Sequence, residues 1–139
     1  MYKPVKFITS IPYKGFSTYY LFNKKNKILI PIEINKENNS KITPSIYNSL
    51  NRLVSALGYS FLYIKIYKLH QNTFYTYLSL SKRNEHNNIN KVMDLNISFE
   101  DGISISKEAN IPIYIKESIA KEIGIEITKK LVEKALSNQ

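Results

Sequence analysis

The alternation of residues 59–81 constrains this chain more than any other stretch. Tyr59 to Leu69 and Thr73 to Ser81 each alternate aliphatic residues with tyrosine, lysine or serine. Successive strand side chains point to opposite faces, so a shift of one residue would mix the two kinds. If His70-Gln71-Asn72 is the loop, Tyr67 faces Tyr75, Lys65 faces Tyr77 and Tyr63 faces Ser79. The other face then pairs Ile66 with Thr76, Ile64 with Leu78 and Leu62 with Leu80. A two-residue loop would pair Ile66 with Tyr77 and Lys65 with Leu78, scrambling both faces. The three-residue loop needs a left-handed third residue, which Asn72 tolerates. The expected element is a hairpin with one aliphatic face and one tyrosine–lysine face.

Upstream, residues 5–10 alternate weakly as a first strand, and Ile11, Pro12 and Gly15 mark a turn. Phe16 to Phe22 and Ile28 to Ile34 read as strands about the turn Asn23-Lys24-Lys25-Asn26. Pro31 cannot donate to a ladder, so that strand belongs at an edge or carries a bulge there. After a polar loop, Lys36 to Lys41, Thr43 caps a helix with Pro44 at its first position, and Gly58 closes it. Ile46, Leu50, Leu53, Val54 and Leu57 fall on one helical stripe, which predicts that Leu50, Leu53, Val54 and Leu57 are buried. Lys82 to Asn90 is a polar linker. The stretch Lys91 to Ile127 then supplies a strand to Asn96, a helix capped by Ser98, a strand from Ile111 to Ile115 and a helix stopped at Gly124. Thr128 starts a last helix with Leu131, Val132, Ala135 and Leu136 on one face. These elements predict one compact α+β domain over residues 1–139, with mostly antiparallel strands and short helices.

Composition narrows the chemistry. The chain has no cysteine, so disulfides, thiolate catalysis and cysteine zinc sites are excluded. No apolar run is long enough to span a membrane, and the N-terminus lacks a signal-peptide core, which predicts a cytoplasmic protein. The net charge is +9 and uneven: residues 1–83 carry +11 and the remainder −2. A basic body suits a polyanion, although an AT-rich codon bias toward lysine gives the same imbalance without one.

Two groups of residues are candidates for function. Tyr63, Lys65, Tyr67, Tyr75 and Tyr77 share a sheet face on which bases stack while lysines follow phosphates, and Lys24, Lys25 and Lys27 add charge at a hairpin tip. The competing reading packs that face on a helix or a second subunit. The dense acids are Asp94, Glu100 and Asp101, with Glu33 or Glu37 able to join them. Clustered carboxylates of this kind hold Mg²⁺ or another hard divalent cation in metal nucleases, and acids in a helix's first turn also simply offset its dipole. His70 and His86 are expected to be exposed and inert.

Three blocks resemble the bifunctional nuclease family. Ile28 to Ile34 (ILIPIEI) is similar to its L-P-I-x-I strand, and Asn72 to Leu78 (NTFYTYL) to its D-G/N-T-F-Y-A-x-L strand. Asp94 to Ile125 is similar to its I-D-x-R-P-S-D-A helix start and the following G-A-P-I-F-V. The resemblance implies a compact α+β domain, often oligomeric, that cleaves DNA and RNA. It also implies Asp101 as a catalytic residue, with Glu100 and Asp94 beside it on a divalent cation. Asn96, Ser98, Phe99, Glu100 and Gly102 stand where the family has Asp, Arg, Pro, Ser and Ala, and a helix after the first block is missing. These departures imply weak cleavage or none, leaving a nucleic-acid-binding protein or an oligomeric interaction domain.

Overall fold

The computed structural model describes residues 1–35 and 41–137. The polar loop expected at Lys36 to Lys41, Glu37 included, lies outside the described residues up to position 40. The strands are β1 (Tyr2–Tyr13), β2 (Phe16–Asn23), β3 (Ile28–Asn35), β4 (Tyr59–His70), β5 (Thr73–Arg83), β6 (Ile89–Ile97), β7 (Ile113–Lys116) and β8 (Ile125–Glu126). The helices are α1 (Pro44–Ala56), α2 (Phe99–Ala109), α3 (Glu117–Ile123) and α4 (Lys129–Ser137). The strands form one sheet in the order β6-β5-β4-β7-β1-β2-β3-β8. Among the described residues only the β4–β7 pair is parallel, so the mostly antiparallel α+β expectation holds.

Of the expected turn markers, Ile11 and Pro12 lie within β1, and Gly15 is at the reversal, with Lys14 and Gly15 at φ of 40° and 88°. Beyond Val5 the strand pairs only with β2, so Pro12 sits where a missing N–H costs the ladder nothing. The same logic accommodates Pro31: it faces Tyr20 on β2, and β8 reaches only Ile28 and Leu29.

The β4–β5 hairpin keeps its expected register in the centre and loses it at both ends. Lys65 faces Tyr77, Tyr63 faces Ser79, Ile66 faces Thr76 and Ile64 faces Leu78. The loop, however, is the two-residue Gln71-Asn72, both left-handed at φ 49° and 62°, as the favoured hairpin turn requires. A bulge at Tyr67 absorbs the extra residue, so Lys68 rather than Tyr67 faces Tyr75. A second bulge at Leu62 puts Phe61 opposite Leu80.

The aliphatic face is the core. Leu21, Ile30, Ile32, Ile66, Leu78 and Ile115 are fully buried there. α2 lies close on this side: a Cβ at Gly102 would stand 3.2 Å from Thr76 and 3.3 Å from Ile64. The rings of Phe7, Tyr19, Phe99 and Phe74 follow one another at centroid distances of 6.0, 5.2 and 6.2 Å. This row joins β1 and β2 to β5 through the first residue of α2, so the sheet curls around that helix.

α1 is capped as expected: Thr43 Oγ1 accepts from the Ile46 N–H at 3.3 Å, and Gly58 ends it at φ 83°. Its buried stripe differs. Val54 is buried and Leu50 half-buried, whereas Leu53 and Leu57 are each 60% exposed. The helix rests on the sheet through the row Tyr47, Leu50 and Val54, with the Tyr47 ring 5.7 Å from that of Phe61. Leu53→Ala is therefore expected to change stability by less than about 0.5 kcal/mol, as exposed substitutions do. A urea-unfolding loss well above that would show Leu53 to be covered. On α4, Leu136 is exposed, and the side chains of Leu131, Val132 and Ala135 are outside the described set.

Candidate nucleic-acid interface and acidic cleft

The tyrosine–lysine face assembles around Lys65. Its Nζ stands 4.3 Å from the Tyr2 ring centroid and 5.1 Å from that of Tyr63. Burial alone would lower its pKa, but the phenol oxygens of Tyr63, Tyr77 and Tyr2 outweigh burial and hold the ammonium above 10.5. Burial raises the Tyr77 phenol, so both groups keep their protons at neutral pH. Tyr67 lies 5.2 Å from Tyr77 and 6.3 Å from Tyr75, and Tyr63 meets Tyr114 edge-on at 5.7 Å. All five expected face residues are thus brought into one aromatic field. Tyr2 and Tyr114 join them from β1 and β7. The signal for Tyr114 was present, since it alternates with the buried Ile113 and Ile115. Placing it beside Lys65 needs the parallel pairing with β4, which no local pattern announces.

Lys24, Lys25 and Lys27 are exposed at the β2–β3 turn. Asn23, 1% exposed, fixes this turn. Its Nδ2 donates to the Pro4 carbonyl at 2.8 Å, and its Oδ1 accepts from the Asn26 N–H at 2.7 Å. Lys3 Nζ donates to Asn26 Oδ1 at 3.0 Å, which ties the basic turn to the start of β1.

The acids are divided. Asp94 lies on the tyrosine side of β6, where its Oδ1 accepts from Ser79 Oγ at 2.5 Å. Asp101 is at the start of α2, where its Oδ1 accepts from the backbone N–H groups of Lys41 and Ile42 at 2.9 and 3.2 Å. Ser98 caps the helix by accepting from the Asp101 N–H at 3.1 Å, as expected. Glu100 is 4% exposed. Burial raises its pKa above 4.5 against the opposing hydrogen bonds from its own N–H and Ser98, and Asp101 adds to the rise. Among the described residues no three His, Asp or Glu side chains gather where one cation could be held. Strand alternation turns Asp94 to the tyrosine side, so it does not join Glu100 and Asp101 at the start of α2. His70 and His86 are both exposed.

The raised Glu100 carboxyl has a consequence for stability. With its folded pKa above the unfolded one, its contribution is fully present below the unfolded value and lost as pH rises through the folded value. Glu100→Gln is expected to stabilise the protein near pH 7 and to lose that advantage near pH 4. Urea midpoints at the two pH values check this, and an advantage that grows toward low pH would reverse the sign argued here.

A cleft of about 780 Å³ opens between the end of β3, the tip of the β4–β5 hairpin and the start of α2. Glu33, Glu100 and Asp101 line it, and Tyr67, Tyr75 and Asn96 connect it with the tyrosine face. Asn96 Oδ1 accepts from the Tyr67 hydroxyl at 3.2 Å, so the residue replacing the motif's first Asp supports the aromatic field.

No described helix is long and apolar enough to cross a membrane. No curated protein matches the chain. A family model described as bifunctional nuclease domain matches residues 22–128, from the end of β2 to the residue before α4. That span holds most of the aromatic field, nearly all of the cleft and all three blocks of similarity, and the chain belongs to the bifunctional nuclease domain family.

Proposed function

We propose that this chain binds single-stranded DNA or RNA across its tyrosine–lysine face, as a divergent family member in which binding outweighs cleavage. The observation that carries this reading is the continuous field of Tyr2, Tyr63, Tyr67, Tyr77 and Tyr114 around Lys65. Stacking tyrosines supply about 1–3 kcal/mol per base, and the lysines at the β2–β3 turn supply phosphate contacts. The reading places the protein in the cytoplasm, with RNA and single-stranded DNA as partners. Fluorescence anisotropy with labelled single strands over a salt series tests it. Affinity is expected to fall steeply with salt. Tyr77→Ala should weaken binding about tenfold, in line with the loss of one stacked base. Joint replacement of Lys24, Lys25 and Lys27 by Gln should weaken all sequences alike and flatten the salt slope. Absence of binding at low salt would sink the proposal.

Two other readings each have one observation in their favour. Glu100 and Asp101 line the same cleft, which favours residual phosphodiester cleavage there. Cleavage that depends on Mg²⁺ or another divalent cation and is abolished by Asp101→Asn would support it. Val92, Met93 and Leu95 on β6 are 54, 46 and 43% exposed, which favours association with a second copy along that edge. Light scattering during chromatography decides that question.

A further inference from the structure

We infer that the cleft beside α2 receives a single guanine base from the strand lying on the tyrosine face; this rests on the nucleic-acid reading above. The walls of the cleft are suited to a planar ring. Phe16 and Tyr75 line it and remain 45% and 39% exposed, so their faces are open to stacking. Tyr75 also contacts Tyr67 on the aromatic field, so a strand that stacks on the field reaches the cleft without crossing open solvent.

The charge of the cleft says which part of a nucleotide enters. Among the described residues, three carboxylates, Glu33, Glu100 and Asp101, line it against one ammonium, that of Lys41. A phosphate is repelled by such a lining, whereas the base edge that carries N–H donors is attracted. Asp101 is already engaged by the Lys41 and Ile42 N–H groups, and Glu100 is buried. Glu33 is exposed at the mouth, on an ordered strand opposite Thr18, and is the carboxylate that an incoming base meets.

A carboxylate accepts two parallel N–H bonds and offers none. Guanine presents two adjacent donors, N1–H and the N2 amine, on its Watson–Crick edge. Adenine and cytosine each alternate a donor with an acceptor there, and uracil or thymine flanks one donor with two acceptors. The acidic mouth thus selects guanine. The base must be unpaired, because in a duplex that edge is occupied.

The test compares a short labelled oligothymidylate with the same oligomer carrying one internal guanine, adenine or inosine. One guanine is expected to tighten binding about tenfold, within the range for a bidentate contact to a base edge. Adenine should give no gain. Inosine, which lacks the N2 amine, should lose most of the guanine gain. In Glu33→Gln the guanine-to-thymine affinity ratio should fall to about one, because an amide offers one acceptor and sets its own donor against the base. Equal affinity for the guanine and all-thymine oligomers at every guanine position overturns the inference while leaving the tyrosine-face reading intact. Inosine matching guanine overturns the two-donor recognition even if the variant does not fold. Failure of both oligomers to bind at low salt overturns the underlying nucleic-acid reading as well.

Discussion

Gly124→Ala is expected to destabilise the protein by about 3 kcal/mol or more, at or beyond the upper end of the usual cost of overpacking. The backbone there, φ −74° and ψ 150°, suits any residue, so the glycine is not required for its conformational range. It is required for its lack of a side chain. A Cβ would run into the Ala120 carbonyl oxygen and stand 2.5 Å from Ile28 Cγ2. That carbonyl accepts the Gly124 N–H at 2.8 Å, the bond that ends α3. Ala120 is 2% exposed, so the helix cannot move aside without disturbing the core. Adding Ile28→Ala in the same chain should recover only part of the loss, because the backbone carbonyl remains in the way. Urea midpoints of the single and double variants measure this. A loss of less than about 1 kcal/mol would show that the α3–β8 junction shifts at little cost.

Asp101→Ala is expected to cost about 2–4 kcal/mol in the same measurement. Two backbone N–H groups, of Lys41 and Ile42, lose a charged acceptor, and bonds of that kind contribute about 1.5–3 kcal/mol each before solvent replaces them. The helix also loses a negative charge in its first turn. Asp101→Asn retains an oxygen at the acceptor position and should recover at least half of the loss. The pair of variants separates two roles for this acid. If Asn restores stability but removes a cleavage activity present in the parent, the charge serves chemistry. If Asn restores stability and nucleic-acid binding is unchanged, the acid is an anchor for the segment that leads into α1.

Much of the architecture was legible because local chemistry left few choices. Thr43-Pro44, Ser98 and Gly58 mark helix ends through their own backbone and side-chain preferences, and the structure uses each of them so. The centre of the hairpin was legible because a one-residue shift would set Lys65 opposite Leu78 and scramble a face. The actual neighbours, Tyr77 and Tyr114, keep that face uniform. Its ends were not legible, because bulges at Leu62 and Tyr67 shift the register without changing the residue pattern. The buried stripe of α1 is narrower than its pattern: five apolar positions predict a wide buried band, but a helix lying on a curled sheet buries only the row through Val54. The candidate site was legible in part. The tyrosines were found by alternation, whereas Asp101's engagement with Lys41 and Ile42 joins positions some sixty residues apart and leaves no local trace.

The position of β1 also sets an order of assembly. The strand is inserted between β7 and β2, with Tyr2 opposite Lys116 and Lys6 opposite Phe22. Residues made early in synthesis therefore wait for residues made much later before the sheet is continuous. Until then the β4–β5–β6 hairpins and the β2–β3 hairpin are separate pieces, each able to form from neighbouring sequence, and their union demands closure of a very long loop. Refolding should show a fast local phase followed by a slower joining step. Deletion of residues 1–5 should remove the β1–β7 pairing and leave the two half-sheets joined only through the helices packed on their apolar faces.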